Sequence, residues 1–371
     1  MNQAIPEEII RTRSGYPVAE AVRGFKMALE ESGAVAAGKS IHYTADLVCS
    51  GCSEIWQKLL WEYAIDHVGI SSPRIFHFLL NRFTDLQAGV GRIPSENFYK
   101  TLEYQKAMAE CVLVLRSCPR RPALKMPKVP VESHNDEWIR TTTIGTAPSA
   151  VVGKVFNGSY DLQVVKRVGD EFAKACNDGA TEKAFFWMKW LFEEDARLRK
   201  EGKASLSTQD RGPASWPNKM RSHIGFFLVN LLTEIYKELA VKQAVRMNDE
   251  FKAILQLYLI PRKTISQKRR QDLLCLAIQI VCEVPRWKVP AAPALVKDPL
   301  ALERAISHAE GFFREVLAYD PPVGDILKAA KKSGKVVTIK AKTSKQLRQM
   351  DVEEHLAAYD AVIDQWLSGK G

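Results

Sequence analysis

The stretch AVRGFKMALEESGAVAAGKS, residues 21–40, decides between two fold classes. Its second half, Gly33–Ser40, has the pattern G-x-x-x-x-G-K-[ST] of the phosphate-binding loop in nucleoside triphosphatases. That loop works only between a buried β-strand and a helix whose N-terminus faces the phosphates. The first half instead carries apolar residues at helical spacing among charged ones, namely Val22, Phe25, Met27, Ala28 and Leu29. The stretch therefore predicts a helix, followed at Gly33–Ser40 by a small-residue loop into the next helix.

Nucleotide binding at Lys39 and Ser40 is the less favoured alternative. In a working site the lysine contacts the phosphates and the hydroxyl contacts a magnesium ion, which also needs a carboxylate at the end of a second apolar strand. The apolar run at residues 111–115 is followed by Arg116 and Ser117 rather than by a carboxylate. We therefore expect no nucleotide and no other cofactor.

Helical spacing of apolar residues recurs along most of the chain. The predicted helices cover residues 45–67, 75–86, 94–115, 151–176, 178–200, 219–240, 248–259, 266–282, 299–318 and 351–367. Only residues 336–339, of sequence VVTI, have the composition of a strand, and they are isolated. The sequence therefore predicts an all-α fold.

A change of composition at Cys118 suggests a domain boundary. The following stretch, PRRPALKMPKVP at Pro119–Pro130, is rich in proline and basic residues and cannot form a regular element. We therefore predict an N-terminal helical domain at 1–118, a Pro-rich basic linker at 119–148 and a C-terminal helical domain at 149–320. A basic tail with a terminal helix follows at 321–371.

Composition and charge indicate which classes of protein and partner the chain fits. The chain has 46% hydrophobic residues and a formal net charge of +10, which favours an anionic partner without identifying it. No apolar run is long enough to span a membrane, and the N-terminus lacks the apolar region of a secretory signal. Seven cysteines, an odd number, indicate reduced thiols. We expect an intracellular protein that is not secreted.

Catalytic and metal-binding patterns are weak. Cys49 and Cys52 have C-x-x-C spacing, but no second pair completes a zinc site. The seven histidines show no metal-ligand spacing. The carboxylates at residues 193–195 could do acid–base chemistry, but Arg197 and Arg199 follow within a turn or two, which favours a solvated, internally paired helix end. We therefore predict no catalytic residues, no metal site and no enzymatic activity.

The segment CNDGATEKAFFWMKWLFEEDARLRK, Cys176–Lys200, is the most unusual in composition. At helical spacing its large side chains point almost all round the axis, which is typical of a central, buried helix. These side chains are Phe185, Phe186, Trp187, Met188, Trp190, Leu191 and Phe192. Exposed rings interleaved with cations could instead stack on nucleic-acid bases. The buried arrangement is the favoured prediction.

Three segments together resemble a family of all-helical proteins of nucleocytoplasmic large DNA viruses of algae and protists. They are the Trp-rich helix ending in acidic residues, the aromatic-aliphatic helix Arg221–Glu234, and the helix Lys268–Glu283, which opens on basic residues and ends in glutamate. The resemblance covers about Val151–Val289. It implies a helical fold and a viral setting, and it brings no catalytic residues. The same block is similar, more faintly, to the collar helices of clamp-loader subunits, although no ATPase module precedes it here.

Three basic clusters are candidate contacts for phosphates. The first lies at the start of a predicted helix (Arg262, Lys263, Lys268, Arg269 and Arg270) and the second on the linker (Arg120, Arg121, Lys125 and Lys128). The third is the tail at Lys328–Arg348, with Lys331, Lys332, Lys335, Lys340 and Lys342. A solubilising tail, or an arm that docks on an acidic protein, is the alternative for the tail.

These observations lead to a hypothesis of function. We expect a non-enzymatic binding or scaffold protein of a large DNA virus, with nucleic acid and viral proteins as partners, in viral DNA replication or packaging. The alternative is a minor, capsid-associated structural protein of the virion. The expected location is the cytoplasm or nucleus of the infected host, or the virion itself. The sequence predicts no oligomeric state.

Overall fold

The computed structural model describes residues 11–90, 98–121, 124–242, 248–260, 265–283 and 295–319. These residues form helices and no β-strand, and only two isolated antiparallel bridges occur among them, Arg11 with Pro17 and Asp161 with Ser207. The prediction of an all-α fold is confirmed. The predicted strand at 336–339 and the terminal helix at 351–367 lie outside the described residues.

The described residues divide into two compact units. Unit 1 contains the described residues of 1–64, 78–119 and 294–371, and unit 2 those of 65–77 and 120–293. This division differs from the predicted boundaries in three respects. Residues 120–148 of the predicted linker belong to unit 2. Residues 295–319 belong to unit 1 rather than to a C-terminal domain, and residues 65–77 belong to unit 2.

Unit 1 is built around a central helix, α2, which contacts the helices before it, after it and near the end of the described chain. Its helices are α1 (Val18–Glu30), α2 (Ala34–Cys49), α3 (Ser53–Tyr63), most of α4 (Arg74–Val90), α5 (Leu102–Ser117), α14 (Pro299–Ser307) and α15 (Ala309–Ala318). A π-helical turn (Ala64–Val68) and a 3-10 turn (Gly69–Ser71) follow α3, and from residue 65 onward they belong to unit 2.

The connection between α1 and α2 is shorter than predicted. Only residues 31–33 lie between the two helices, and Ala34–Ser40 already belong to α2. The predicted loop at Gly33–Ser40 is therefore wrong. Its small residues pack instead, because Ala34, Ala36, Gly38 and Ser40 are buried against neighbouring helices.

The single helix predicted at residues 45–67 is broken in the structure. It divides into α2 and α3 at Gly51, whose φ of 76° lies in the left-handed region that favours glycine. Cys52 N then donates to Leu47 O at 2.8 Å, which closes the end of α2. The apolar pattern continues across the break, which is why spacing alone did not detect it.

Unit 2 contains the remaining helices. They are α6 (Asp136–Thr143), α7 (Ala150–Val155), α8 (Gln163–Asn177), α9 (Thr181–Lys200), the short α10 (Asn218–Arg221), α11 (Ile224–Lys242), α12 (Asp249–Tyr258) and α13 (Gln267–Glu283). Helix α9 is the predicted aromatic helix, and it contacts α8, α11 and α13. Trp187, Trp190 and Leu191 are no more than 5% exposed, so the prediction of a central, buried helix is correct.

The predicted linker contains regular structure. A 3-10 turn at Val131–His134 is followed by α6, whose first turn is capped where Asn135 Oδ1 accepts from Glu137 N at 2.8 Å. Asparagine at this position satisfies an otherwise unpaired backbone N–H. Residues 124–130 form no helix or strand, as the prolines require.

Candidate nucleic-acid interface

The basic residues that open α13 do not share one environment. Lys268 is exposed. Arg269 forms an ion pair with Asp66 at 2.9 Å, and Arg270 is only 1% exposed. The prediction that Arg270 contacts phosphates is wrong, because a side chain without exposed surface cannot reach them. The charge of Arg269 is already engaged by a carboxylate.

Arg270 serves the core of unit 2. Its guanidinium donates to the carbonyl oxygens of Tyr258 and Ile260 at the C-terminal end of α12. It also lies 4.5 Å from the centre of the Trp216 ring and 5.6 Å from that of Tyr258. A cation is favoured at a helix C-terminus, where carbonyls lack partners, and over aromatic faces. These contacts account for a buried positive charge at the start of α13.

The described part of Arg120–Asn135, which lacks residues 122–123, is called the strap here. Arg121 fixes its beginning: its backbone N donates to His67 O at 2.8 Å and its Nη2 to Ile65 O at 2.7 Å. Burial lowers the pKa of this guanidinium, while nearby Asp272 acts in the opposite direction. The prediction of Arg121 as an open phosphate contact is therefore not supported, since the side chain is half-buried and engaged within unit 2.

The rest of the strap is held to α9 and α13 rather than running free. Lys189 Nζ donates to Pro127 O (2.8 Å), Trp190 Nε1 donates to Ser133 O (3.0 Å), and Cys275 Sγ contacts Met126 Sδ (3.6 Å). The Trp190 and Ser133 contact is buried. A buried indole N–H needs a partner, so the strap satisfies a polar group of the aromatic helix.

The remaining strap cations point outward. Arg120, Lys125 and Lys128 are exposed, and neither lysine forms an ion pair with another described residue. A backbone anchored on both sides of these lysines limits the conformational entropy that an anion contact would cost. Among the described residues, these three and Lys268 are therefore the predicted phosphate contacts whose side chains are exposed.

The start of the strap and the start of α13 meet around one carboxyl group. Burial and the nearby Asp66 raise the pKa of Asp272, whereas Arg121, Lys268 and Arg269 act to lower it. The cations of the two sequence segments are therefore close enough to influence one group. The start of the strap and the start of α13 are far apart in the sequence, which gave no indication that they lie close together.

The contact between His134 and Glu194 was also not predicted from the sequence. His134 Nδ1 lies 2.7 Å from Glu194 Oε2, and the imidazole stacks on Trp190 with ring centres 5.4 Å apart. Glu194 accepts in addition from Arg197 Nη2 at 2.6 Å and from Nε at 2.9 Å. The two partners are 60 residues apart, so no local pattern could pair them.

The acidic end of α9 is buried rather than solvated. Glu194 is 6% exposed and Asp195 is 3% exposed, which corrects the predicted solvated helix end. The predicted internal pairing is present, since Arg199 Nε lies 3.0 Å from Asp195 Oδ2. Burial raises the pKa of Asp195, although Leu206 N and Arg199 both stabilise the ionised form. The carboxylates hold the strap and the chain after α9 in place.

Metal binding has no support within the described ranges. No group of three or more His, Cys, Asp or Glu side chains there is arranged to hold a metal ion. Cys49 and Cys52, the predicted C-x-x-C pair, are buried, and burial raises the pKa of Cys49 to about 12. A thiol in such surroundings is neither a ready ligand nor a nucleophile.

Comparison with known proteins gives no relative. No protein-family model, curated protein or solved structure matches the chain.

Lys39 and Ser40 do not form a phosphate site. Both lie within α2, and Ser40 is fully buried with its Oγ donating to Ala37 O at 2.7 Å. A phosphate-binding loop requires a strand before it, whereas α1 precedes this segment. Ala34, Ala37 and Gly38 of the pattern line a small, partly open apolar pocket beside Leu113 and Phe312.

Seven of the predicted phosphate contacts lie outside the described residues, namely Arg262, Lys263, Lys331, Lys332, Lys335, Lys340 and Lys342.

Within the described part of the chain, no helix has the length and apolar character needed to cross a membrane.

Proposed function

We propose that the chain is a non-enzymatic nucleic-acid-binding protein that contacts phosphates through the exposed cations of the strap. The observation that carries this proposal is the pair Lys125 and Lys128, which are exposed and form no ion pair with another described residue, on a backbone anchored to α9 and α13. Lysine is a point charge suited to phosphates without base recognition. We expect binding without sequence specificity.

Additional cations extend the proposed contact. Arg120 and Lys268 are exposed at the beginning of the strap and of α13. The basic tail at Lys328–Arg348, of sequence KAAKKSGKVVTIKAKTSKQLR, would add further phosphate contacts. The net charge of +10 agrees with a polyanionic partner.

The biological setting is part of the same proposal. The resemblance of about Val151–Val289 to helical proteins of large DNA viruses supports a role in viral DNA replication or packaging, beside other viral proteins. It also supports a location in the infected host. The carboxylates at the acidic end of α9 hold the strap and the following chain. Because they are engaged in these contacts, they support a binding role rather than a catalytic one.

The test is direct binding of a fluorescently labelled oligonucleotide at low salt. The double variant Lys125→Gln/Lys128→Gln is compared with the control Lys174→Gln/Lys252→Gln. Lys174 is exposed and pairs with Asp178, and Lys252 is partly exposed and pairs with Asp249. We expect the strap variant to bind at least about tenfold more weakly than wild type and the control to bind nearly as well. Equal affinity of the two double variants would contradict the proposal, because both remove the same net charge.

A further inference from the structure

One ring of the aromatic helix α9 is not part of the core. Phe186 is partly exposed, whereas Phe185 and Trp187 on either side of it are 5% exposed. Trp138 of α6 is also partly exposed and lies 6.3 Å from Phe186 and 6.2 Å from Trp187, measured between ring centres. Phe186 and Trp187 are 5.0 Å apart and meet edge to face. Three rings thus form one cluster, and two of them reach the surface.

Cations stand on both sides of this cluster. Lys183 is one turn before Phe186 on α9, exposed and without an ion pair to any described residue. Lys189, one turn after Phe186, donates to Pro127 O of the strap at 2.8 Å and pairs with Glu193 at 3.5 Å, so the free cation on this side is the exposed Lys128, which follows Pro127 directly and has no ion pair to a described residue. The surface therefore runs from a cation, across aromatic rings, to the cations of the strap. The opposing charges are the exposed Glu182 beside Lys183 and the exposed Asp136 and Glu137, which precede Trp138.

We propose that Trp138 and Phe186 form a stacking platform for the bases of single-stranded nucleic acid. The proposal rests on the proposed function and specifies its ligand. Aromatic rings beside a cationic path are the recurring solution for binding single strands without sequence specificity. In a duplex the faces of the bases are already stacked on each other, so a duplex can engage only the cations. One stacked base should strengthen binding by about 5-fold to 150-fold.

The test uses the intact wild-type chain and three ligands of similar charge. A short oligothymidine, an abasic oligonucleotide of the same length and a short duplex are each titrated at one salt concentration. We expect oligothymidine to bind at least about fivefold more tightly than the abasic strand. Equal binding of these two strands overturns the stacking platform and leaves phosphate binding intact. Failure of all three ligands to bind overturns the proposed function, and this inference with it.

Variants then assign the effect to the rings. Phe186→Leu and Trp138→Leu should reduce the preference for oligothymidine over the abasic strand, while binding of the abasic strand stays unchanged. Tyr160→Leu removes a ring that is 52% exposed elsewhere in unit 2, and it should leave the preference unchanged. Glu182→Gln should strengthen binding of all three ligands. If neither platform variant reduces the preference, the assignment to Trp138 and Phe186 is overturned even though a stacking effect exists.

Discussion

Two cations near the start of α13 have opposite environments although they are two positions apart. Lys268 is exposed, whereas Arg270 is enclosed by Trp216 and Tyr258 and donates to two carbonyls at the end of α12. Arg270 precedes Leu273, Leu274 and Ala277 by three, four and seven positions, which places it on the same helix face as these buried residues. That spacing was a readable signal that Arg270 belongs to the core.

Replacing Arg270 should therefore cost stability. Arg270→Met leaves the carbonyls of Tyr258 and Ile260 without their donor, and we expect the free energy of unfolding to fall by about 2–4 kcal/mol. The matched change Lys268→Met should alter it by less than about 0.5 kcal/mol. Urea unfolding of both variants measures the difference. Equal stability of the two would show that the guanidinium contacts of Arg270 contribute little.

The cysteines should be unreactive in the folded protein. All seven are buried, and burial raises the pKa of Cys49 to about 12, so almost no thiolate forms there at neutral pH. Labelling with a water-soluble disulfide reagent should be slow before unfolding and should reach seven thiols in denaturant. At mildly alkaline pH, the labelling rate of the folded protein should still be lower than that of a free thiol. Rapid labelling of Cys49 in the native protein would contradict its described burial.

At the scale of elements, the contact between α11 and α12 depends on the absence of a side chain. A Cβ at Gly225 of α11 would clash with Tyr258 Oη, and the Tyr258 ring is confined by Phe226 and Arg270. Gly225→Ala should therefore destabilise unit 2 by about 1–3 kcal/mol. Gly153→Ala is the control, because a Cβ there meets no atom within 4 Å and should stabilise α7 by about 0.5–1 kcal/mol. Thermal unfolding should shift in opposite directions for the two variants.

Helix α2 gives a second prediction at this scale. Because Lys39 and Ser40 lie inside a helix, ATP with magnesium should bind wild type and Lys39→Ala equally weakly. Isothermal titration of both proteins measures this. Saturable binding by wild type that Lys39→Ala abolishes would mean that this helix rearranges around a nucleotide.

At the scale of the molecule, the fold class was predictable from the sequence and the grouping of its helices was not. Periodic apolar positions identify helices such as α9 and α13, because burial of one face imposes that period. The assignment of residues 295–319 to unit 1 depends on contacts between distant segments, including those of α15 with α2. Such contacts leave no local pattern. The break at Gly51 was hidden for a different reason, since apolar residues continue on both sides of it.

The candidate site was predictable only in part. The sequence identified Lys125 and Lys128 as basic, but it could not distinguish them from Arg121, whose guanidinium donates to Ile65 O, more than fifty residues earlier in the chain. Nor could it show that the linker is anchored, because Ser133 and His134 meet their partners on α9 only through tertiary structure. Proline content correctly excluded a helix at 124–130 and said nothing about what those residues contact.

The most direct test of phosphate binding by the strap is the salt dependence of nucleic-acid binding. The affinity of a single-stranded oligonucleotide is measured over a series of salt concentrations for wild type and Lys125→Gln/Lys128→Gln. Each lost phosphate contact should reduce the slope of log affinity against log salt by about 0.7, so the double variant should lose about 1.4. The control Lys174→Gln/Lys252→Gln should keep the wild-type slope. Identical slopes for wild type and the strap variant would contradict the claim that the anchored strap contacts phosphates.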